Sequence, residues 1–184
     1  MLEAIQTLDT QILLFIQDNV RGGVLNAVMV FFTYLGEKGF VWLVLGAAML
    51  ITKKHRRSGV YLIACIALCF LVGELIVKNL VARPRPFLTI PELTALVRRP
   101  TSWSFPSGHA CASFACAFAL TWRYKGRGAW FYILAVLIAV SRLHVGVHYP
   151  SDILAGALIG TAGSILICIV LRKLERKYLP EKGK

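Results

Sequence analysis

Long apolar runs separated by short polar clusters set the pattern of this chain. The runs lie at 39–52, 59–78, 108–122, 129–140 and 153–171. A helix needs about 20 mostly apolar residues to cross a bilayer, so the shorter runs must extend into their polar flanks. Lipid offers no hydrogen-bond partner to a bare backbone amide, and each run is therefore expected to be helical. The start of the chain reads differently. "LEAIQTLDTQILLFIQDN" places Leu2, Ile5, Leu8, Ile12, Phe15 and Ile16 on one face, while Gln6, Asp9, Gln17 and Asp18 interrupt the others. That spacing predicts an amphipathic helix lying in the interface or packed on a bundle. "VLNAVMVFFTYLG", after Gly22-Gly23, is apolar but short and predicts a partial or tilted helix. Together these elements predict an all-α fold: one domain over 1–184, a bundle of about six membrane helices, and an N-terminal amphipathic helix.

Composition agrees. The chain has 184 residues, 57% of them hydrophobic and 16% charged, against about 25% charged in soluble domains. The net charge is +12. Its basic clusters, "KKHRR" at 53–57, "RYKGR" at 123–127 and "RKLERK" at 172–177, fall between or after apolar runs. That placement points to anionic lipid headgroups rather than nucleic acid. Counting the runs puts all three clusters on one side, which the positive-inside rule makes the cytoplasm of a plasma (inner) membrane. Segments 79–107 and 141–152 then face outward. The N-terminus carries Glu3 and Asp9 and no basic stretch, unlike a signal peptide. Cys65, Cys69, Cys111, Cys116 and Cys168 all sit in apolar segments with no CxxC pair, so they read as packing residues rather than a disulfide or zinc site.

Charged groups near hydrocarbon are costly and need a reason. The outward segments concentrate them. Lys78 ends an apolar run, and Arg85-Pro86 follow after six residues. Pro106-Ser107-Gly108-His109 precede the next run. Ser141-Arg142 lead, after five residues, to His148 and then Asp152. Their order, spacing and residue types resemble the three-part signature of the type-2 phosphatidic acid phosphatase superfamily, whose members include membrane lipid phosphatases, bacterial acid phosphatases, glucose-6-phosphatase and vanadium haloperoxidases. No motif element is missing, and the surrounding apolar helices fit the membrane branch.

The residues make chemical sense for a phosphate ester. Lys78, Arg85 and Arg142 supply three cations, and an arginine fork grips two phosphate oxygens. Ser107 and Gly108 stand at an expected helix start, where free N–H groups and the helix dipole favour a phosphate. The resemblance implies that His148 attacks phosphorus, that His109 is the general acid and that Asp152 orients the nucleophile. A helix cap is the structural alternative for Asp152. It further implies hydrolysis with no metal and no cofactor. His144 and His148 form an HxxxH, but Gly146, Pro150 and the arginines argue against a zinc site. His144 reads instead as a contact to the site or a headgroup. Arg83 reads equally as a headgroup anchor, and Glu74 as a counter-ion to Lys78. Gly156 and Gly160 predict close helix packing within the chain, with a homodimer contact as the alternative. The segment "LTIPELTALVRRPTSW" is either a lid over the headgroup or an ordinary interfacial loop. The resulting expectation is an outward-facing phosphatase acting on a lipid phosphate, with undecaprenyl diphosphate favoured and phosphatidylglycerophosphate or phosphatidic acid as alternatives. A non-catalytic lipid-phosphate carrier would not require His109, His148 and Asp152 together. A haloperoxidase would use the same pocket for vanadate, but those relatives are soluble.

Overall fold

A computed structural model describes residues 2–178, and among them all regular structure is helical. Helix α1 spans Leu2–Phe15 and continues as a wider π-helical turn. Helices α2 (Gly23–Leu35) and α3 (Phe40–Ile51) follow, their axes bent by 47° at the break between them. Helix α4 (Arg56–Cys69) runs through a π-helical stretch, Phe70–Val77, into α5 (Lys78–Val81). A short α6 (Pro86–Thr89) lies in the long connection to α7 (Gly108–Arg123). Helices α8 (Phe131–His144) and α9 (Pro150–Tyr178) complete the chain.

Each of the five apolar runs is a helix. The run from Arg56 and the helix Pro150–Tyr178 are long and apolar enough to cross a membrane, and the α2/α3 pair is a third if it is one bent span. The sequence pattern treats α2 and α3 as separate elements. The structure bends them at Lys38-Gly39, both left-handed, without reversing direction.

Around α7 the interior is built mostly from small side chains. Helix α7 buries Ala110, Cys111, Ala112, Ser113, Ala115, Cys116, Ala117 and Ala119, and packs against α4, α8 and α9. Large apolar residues such as Leu154, Leu158, Ile133 and Leu80 face outward. This inversion is expected where lipid, as apolar as leucine, replaces water outside and close backbone approach holds helices together. Gly156 and Gly160 show why. A Cβ on Gly156 would stand 2.5 Å from the Ser107 carbonyl oxygen, and one on Gly160 would collide with the Cys111 backbone. The GxxxG stripe is thus occupied by α7 of the same chain.

Direct contacts fix the two ends of the bundle. At one end Arg123 pairs with Glu175 at 3.3 Å, and His55 meets Tyr124 at 2.7 Å. These contacts join the α3/α4 turn, the α7/α8 turn and the end of α9, which carry the three basic clusters. At the other end lie 82–107, 145–149 and α1. Helix α1 presents Asp9 and Leu13 to the protein and leaves Ile5, Leu8 and Phe15 exposed. Gln6, Asp9 and Leu13 meet the bundle, and the stripe of Ile5, Leu8 and Phe15 faces away. Leu13 packs with Ile90, Leu93 and Tyr149.

The α7–α9 contact predicts the effect of filling it. Gly160→Leu should cost about 3 kcal/mol by overpacking and lower the detergent melting temperature by roughly 6–12 °C. An unchanged melting temperature would contradict this contact.

Candidate active site

The site lies where the two connections meet the start of α7. Ala82 ends α5 in a left-handed conformation (φ 47°), its N–H donating to the Lys78 carbonyl at 2.9 Å. That turn directs Arg83 and Arg85 back over the bundle. Arg85 is 3% exposed. Its Nε donates to the Ser102 carbonyl at 2.7 Å, Nη1 to the Val147 carbonyl at 2.8 Å, and Nη2 to Ser102 Oγ at 3.1 Å and the Trp103 carbonyl at 3.2 Å. These acceptors are all neutral. The guanidinium is fixed in place while its charge is left for an anion.

Arg142, on the last turn of α8, is equally buried. Its Nη1 donates to Thr33 Oγ1 at 2.5 Å, and its Nε has no partner among the described residues. Lys78 Nζ pairs with both Glu74 oxygens at 2.7 and 2.8 Å and stands 3.4 Å from Ser102 Oγ. Glu74 thus takes the counter-ion position expected from sequence, and it also borders Gly108, where any Cβ would overlap its carboxylate. Glycine there keeps Glu74, Lys78 and the start of α7 within reach of one another.

Ser107 caps α7, its Oγ accepting from the Ala110 N–H at 3.4 Å, and its own N–H donates to the Asp152 carbonyl at 3.0 Å. The helix-start expectation for Ser107-Gly108 therefore holds. Asp152, fully buried in the first turn of α9, accepts through Oδ2 from Ser104 Oγ at 2.5 Å and the Tyr149 N–H at 2.9 Å. Its Oδ1 accepts from Arg83 at 2.7 Å.

His148 sits between Asp152 and Arg85. Its Nδ1 is 3.4 Å from Asp152 Oδ2, and its Nε2 is 3.3 Å from Arg85 Nη1. A carboxylate can only accept, so the imidazole hydrogen belongs on Nδ1 and the Nε2 lone pair faces the cations. Burial pulls this imidazole down to about 3 against the opposing pull of Asp152. His148 is therefore neutral at physiological pH, the form a nucleophile requires. His109 Nε2 lies 3.1 Å from the Thr33 carbonyl and must carry its hydrogen there, so a proton for transfer belongs on Nδ1.

All eight residues singled out from sequence, Lys78, Arg85, Ser107, Gly108, His109, Arg142, His148 and Asp152, lie at this end of the bundle. His144 does not face the reacting groups: it is buried, with Nε2 2.7 Å from Asn26 Oδ1, and joins α8 to α2. Arg83 turns inward to Asp152 and Asp9. The 88–103 segment lies against α1 through Ile90 and Leu93, and its far end holds Arg85 through Ser102 and Trp103. Thr33, Ser102 and Ser104 are contributors that no motif spacing marks.

The chain belongs to the PAP2 superfamily, whose profile matches residues 58–176. It is 36% identical over 146 residues to the undecaprenyl-diphosphatase of Sulfolobus acidocaldarius, covering 77% of this chain and 68% of that protein. The lipid A 4'-phosphatase of Bacteroides thetaiotaomicron is 30% identical over 204 residues, covering 100% and 88%. Among solved structures, the transmembrane PAP2-type phosphatidylglycerolphosphate phosphatase of Bacillus subtilis superposes with a TM-score of 0.74 at 28% identity, over 94% of this chain and 89% of that one. The protein is a membrane lipid phosphatase of this superfamily.

Thr33 offers a direct test of the Arg142 geometry. Thr33→Val keeps the side-chain shape but removes the acceptor of a charged hydrogen bond worth about 1.5–3 kcal/mol, so turnover should fall roughly 10- to 100-fold. Unaltered turnover would mean that Arg142 does not depend on α2 for its position.

Proposed function

We propose that this protein removes the terminal phosphate of a polyprenyl diphosphate, converting undecaprenyl diphosphate to undecaprenyl phosphate through a phosphohistidine on His148. The observation that carries this reading is the orientation of His148. Its Nδ1 faces the Asp152 carboxylate and its Nε2 faces a guanidinium, with Lys78 and Arg142 at the same end of the bundle.

In the first step Nε2 attacks the terminal phosphorus. The bond to the bridging oxygen breaks, and His109 gives its Nδ1 proton to that leaving oxygen. Asp152 stabilises the positive charge that develops on the imidazole. In the second step His109 takes a proton from water, which attacks the phosphohistidine, breaks the P–N bond and releases inorganic phosphate. Arg85, Arg142 and Lys78, with the Ser107 hydroxyl and the Gly108 N–H, hold the equatorial oxygens. Catalysis then comes mostly from positioning and electrostatics.

The choice of undecaprenyl diphosphate is supported by the likeness to the Sulfolobus undecaprenyl-diphosphatase. Phosphatidylglycerophosphate is the second reading, favoured by the Bacillus structure. The site is assigned to the outer face of the plasma membrane on the positive-inside rule, because the basic clusters gather at the opposite end.

Phosphate release from a panel of lipid phosphates tests the reaction. Undecaprenyl diphosphate should be hydrolysed fastest, vanadate should inhibit as a five-coordinate mimic, and EDTA should leave the rate unchanged. Loss of activity in EDTA with recovery on adding a divalent metal would contradict the phosphohistidine route. Orientation is tested separately, in a background lacking reactive native cysteines. Cysteines at positions 94 and 125 should react with an impermeant thiol reagent from opposite sides, and labelling of both from one side would overturn the assignment.

A further inference from the structure

Arg83 lies outside the eight motif residues, yet among the described residues it makes the one polar contact to Asp152 Oδ1, at 2.7 Å. The other oxygen, Oδ2, receives Ser104 and the Tyr149 N–H and faces His148. Without Arg83 the carboxylate would be held through one oxygen only and would be free to rotate about it. The 3.4 Å separation between Oδ2 and His148 Nδ1 is long for a hydrogen bond, so a small rotation decides whether that contact tightens as charge develops.

The guanidinium is itself over-determined. Its Nη1 also reaches Ser151 Oγ at 2.7 Å, while Nη2 pairs with Asp9 Oδ2 at 2.8 Å and donates to Gln6 Oε1 at 2.6 Å. Its plane lies 3.8 Å over the Tyr149 ring. Asp9 in turn accepts from the Ser151 N–H at 3.0 Å and from Ser151 Oγ. Two of these partners, Gln6 and Asp9, come from α1, which precedes the residues matched by the family profile. Asp9 is 3% exposed, on the same side of α1 as the buried Leu13 and opposite the exposed Ile5, Leu8 and Phe15. A buried carboxylate on such a helix is costly unless paired.

We propose that Arg83 is a positioning residue for the His148–Asp152 pair, and that α1, through Asp9 and Gln6, is the element that locks it there. Helix α1 is on this account part of the catalytic apparatus rather than a membrane anchor alone. A headgroup anchor would leave the Arg83 fork toward lipid phosphate; here both of its ends are engaged by Asp152 and Asp9. The inference rests on His148 as nucleophile.

The test is steady-state kinetics of the full-length protein in detergent, with undecaprenyl diphosphate as substrate and melting temperatures measured alongside. Arg83→Gln should lower kcat about 10- to 100-fold with KM nearly unchanged, the loss of a charged hydrogen bond. Arg83→Lys should recover part of that loss, since one ammonium cannot span two carboxylates as a fork does. Asp9→Asn should lower kcat by a smaller factor, and should add nothing in the Arg83→Gln background, because both act through one contact. A raised KM with unaltered kcat would overturn the proposal by making Arg83 a headgroup contact. Full activity in Arg83→Gln, or an equal Asp9→Asn effect in both backgrounds, would overturn it as well. If Arg83→Gln does not fold, Asp9→Asn alone decides: a kcat loss at constant KM and melting temperature supports the proposal, and no loss refutes it. His148→Ala separates the two claims. Activity in that variant refutes the nucleophile assignment, whereas an inactive His148→Ala beside a fully active Arg83→Gln refutes the role of Arg83 alone.

Discussion

The Asp152 carboxylate is the knot on which the rest of the site depends. It draws on both connections at this end of the bundle: Arg83 and Ser104 from the first, and Tyr149 and His148 from its own. Its backbone carbonyl also receives the Ser107 N–H, which ties the start of α9 to the start of α7. That tie is open only because Gly156 lets the two helices approach to backbone contact. A fully desolvated carboxylate costs several kcal/mol unless it is satisfied, and its partners supply the reason it is tolerated. The same partners leave Oδ2 aimed at the imidazole.

Around this knot the cations are held without being neutralised. Arg85 is oriented by carbonyls and a hydroxyl, and Arg142 by the Thr33 hydroxyl, its Nε without a partner among the described residues. Of Lys78, Arg85 and Arg142, Lys78 alone has a carboxylate partner among the described residues, Glu74, which lies against Gly108. Neutral acceptors fix direction but leave charge, so in the proposed reaction an arriving phosphate would meet guanidinium groups already in position. That is electrostatic preorganisation: the orienting cost is borne by the fold before substrate binds. Small residues on α7 permit it, by letting α4, α8 and α9 close on one helix.

Much of this was legible in the sequence, and the reasons for what was not are physical. The five apolar runs became helices because lipid enforces internal hydrogen bonding. The motif residues Lys78, Arg85, Ser107, Gly108, His109, Arg142, His148 and Asp152 could be singled out because spacing within each segment is local, and the fold gathers them at one end of the bundle. Thr33 and Arg142, 109 positions apart, meet only through packing, as do Arg83 and Asp9 across 74 positions, and nothing near either marks the pair. The stripe on α1 was visible, but not which face meets the protein. In water the apolar stripe would turn inward; beside lipid it is Asp9 that needs cover. The short α2 and α3 read as two elements because the pattern shows a polar break at Gly36–Lys38 and cannot show that the chain bends only 47° across it.

The central claim is that His148 carries the phosphoryl group between attack and release. The most direct measurement is acid-free quenching of the full-length enzyme during turnover of substrate labelled in its terminal phosphate, followed by mass mapping of the labelled peptide. The account predicts an acid-labile, base-stable phosphate on His148 that is absent from His148→Ala. Label on any other residue of the wild-type enzyme would contradict it.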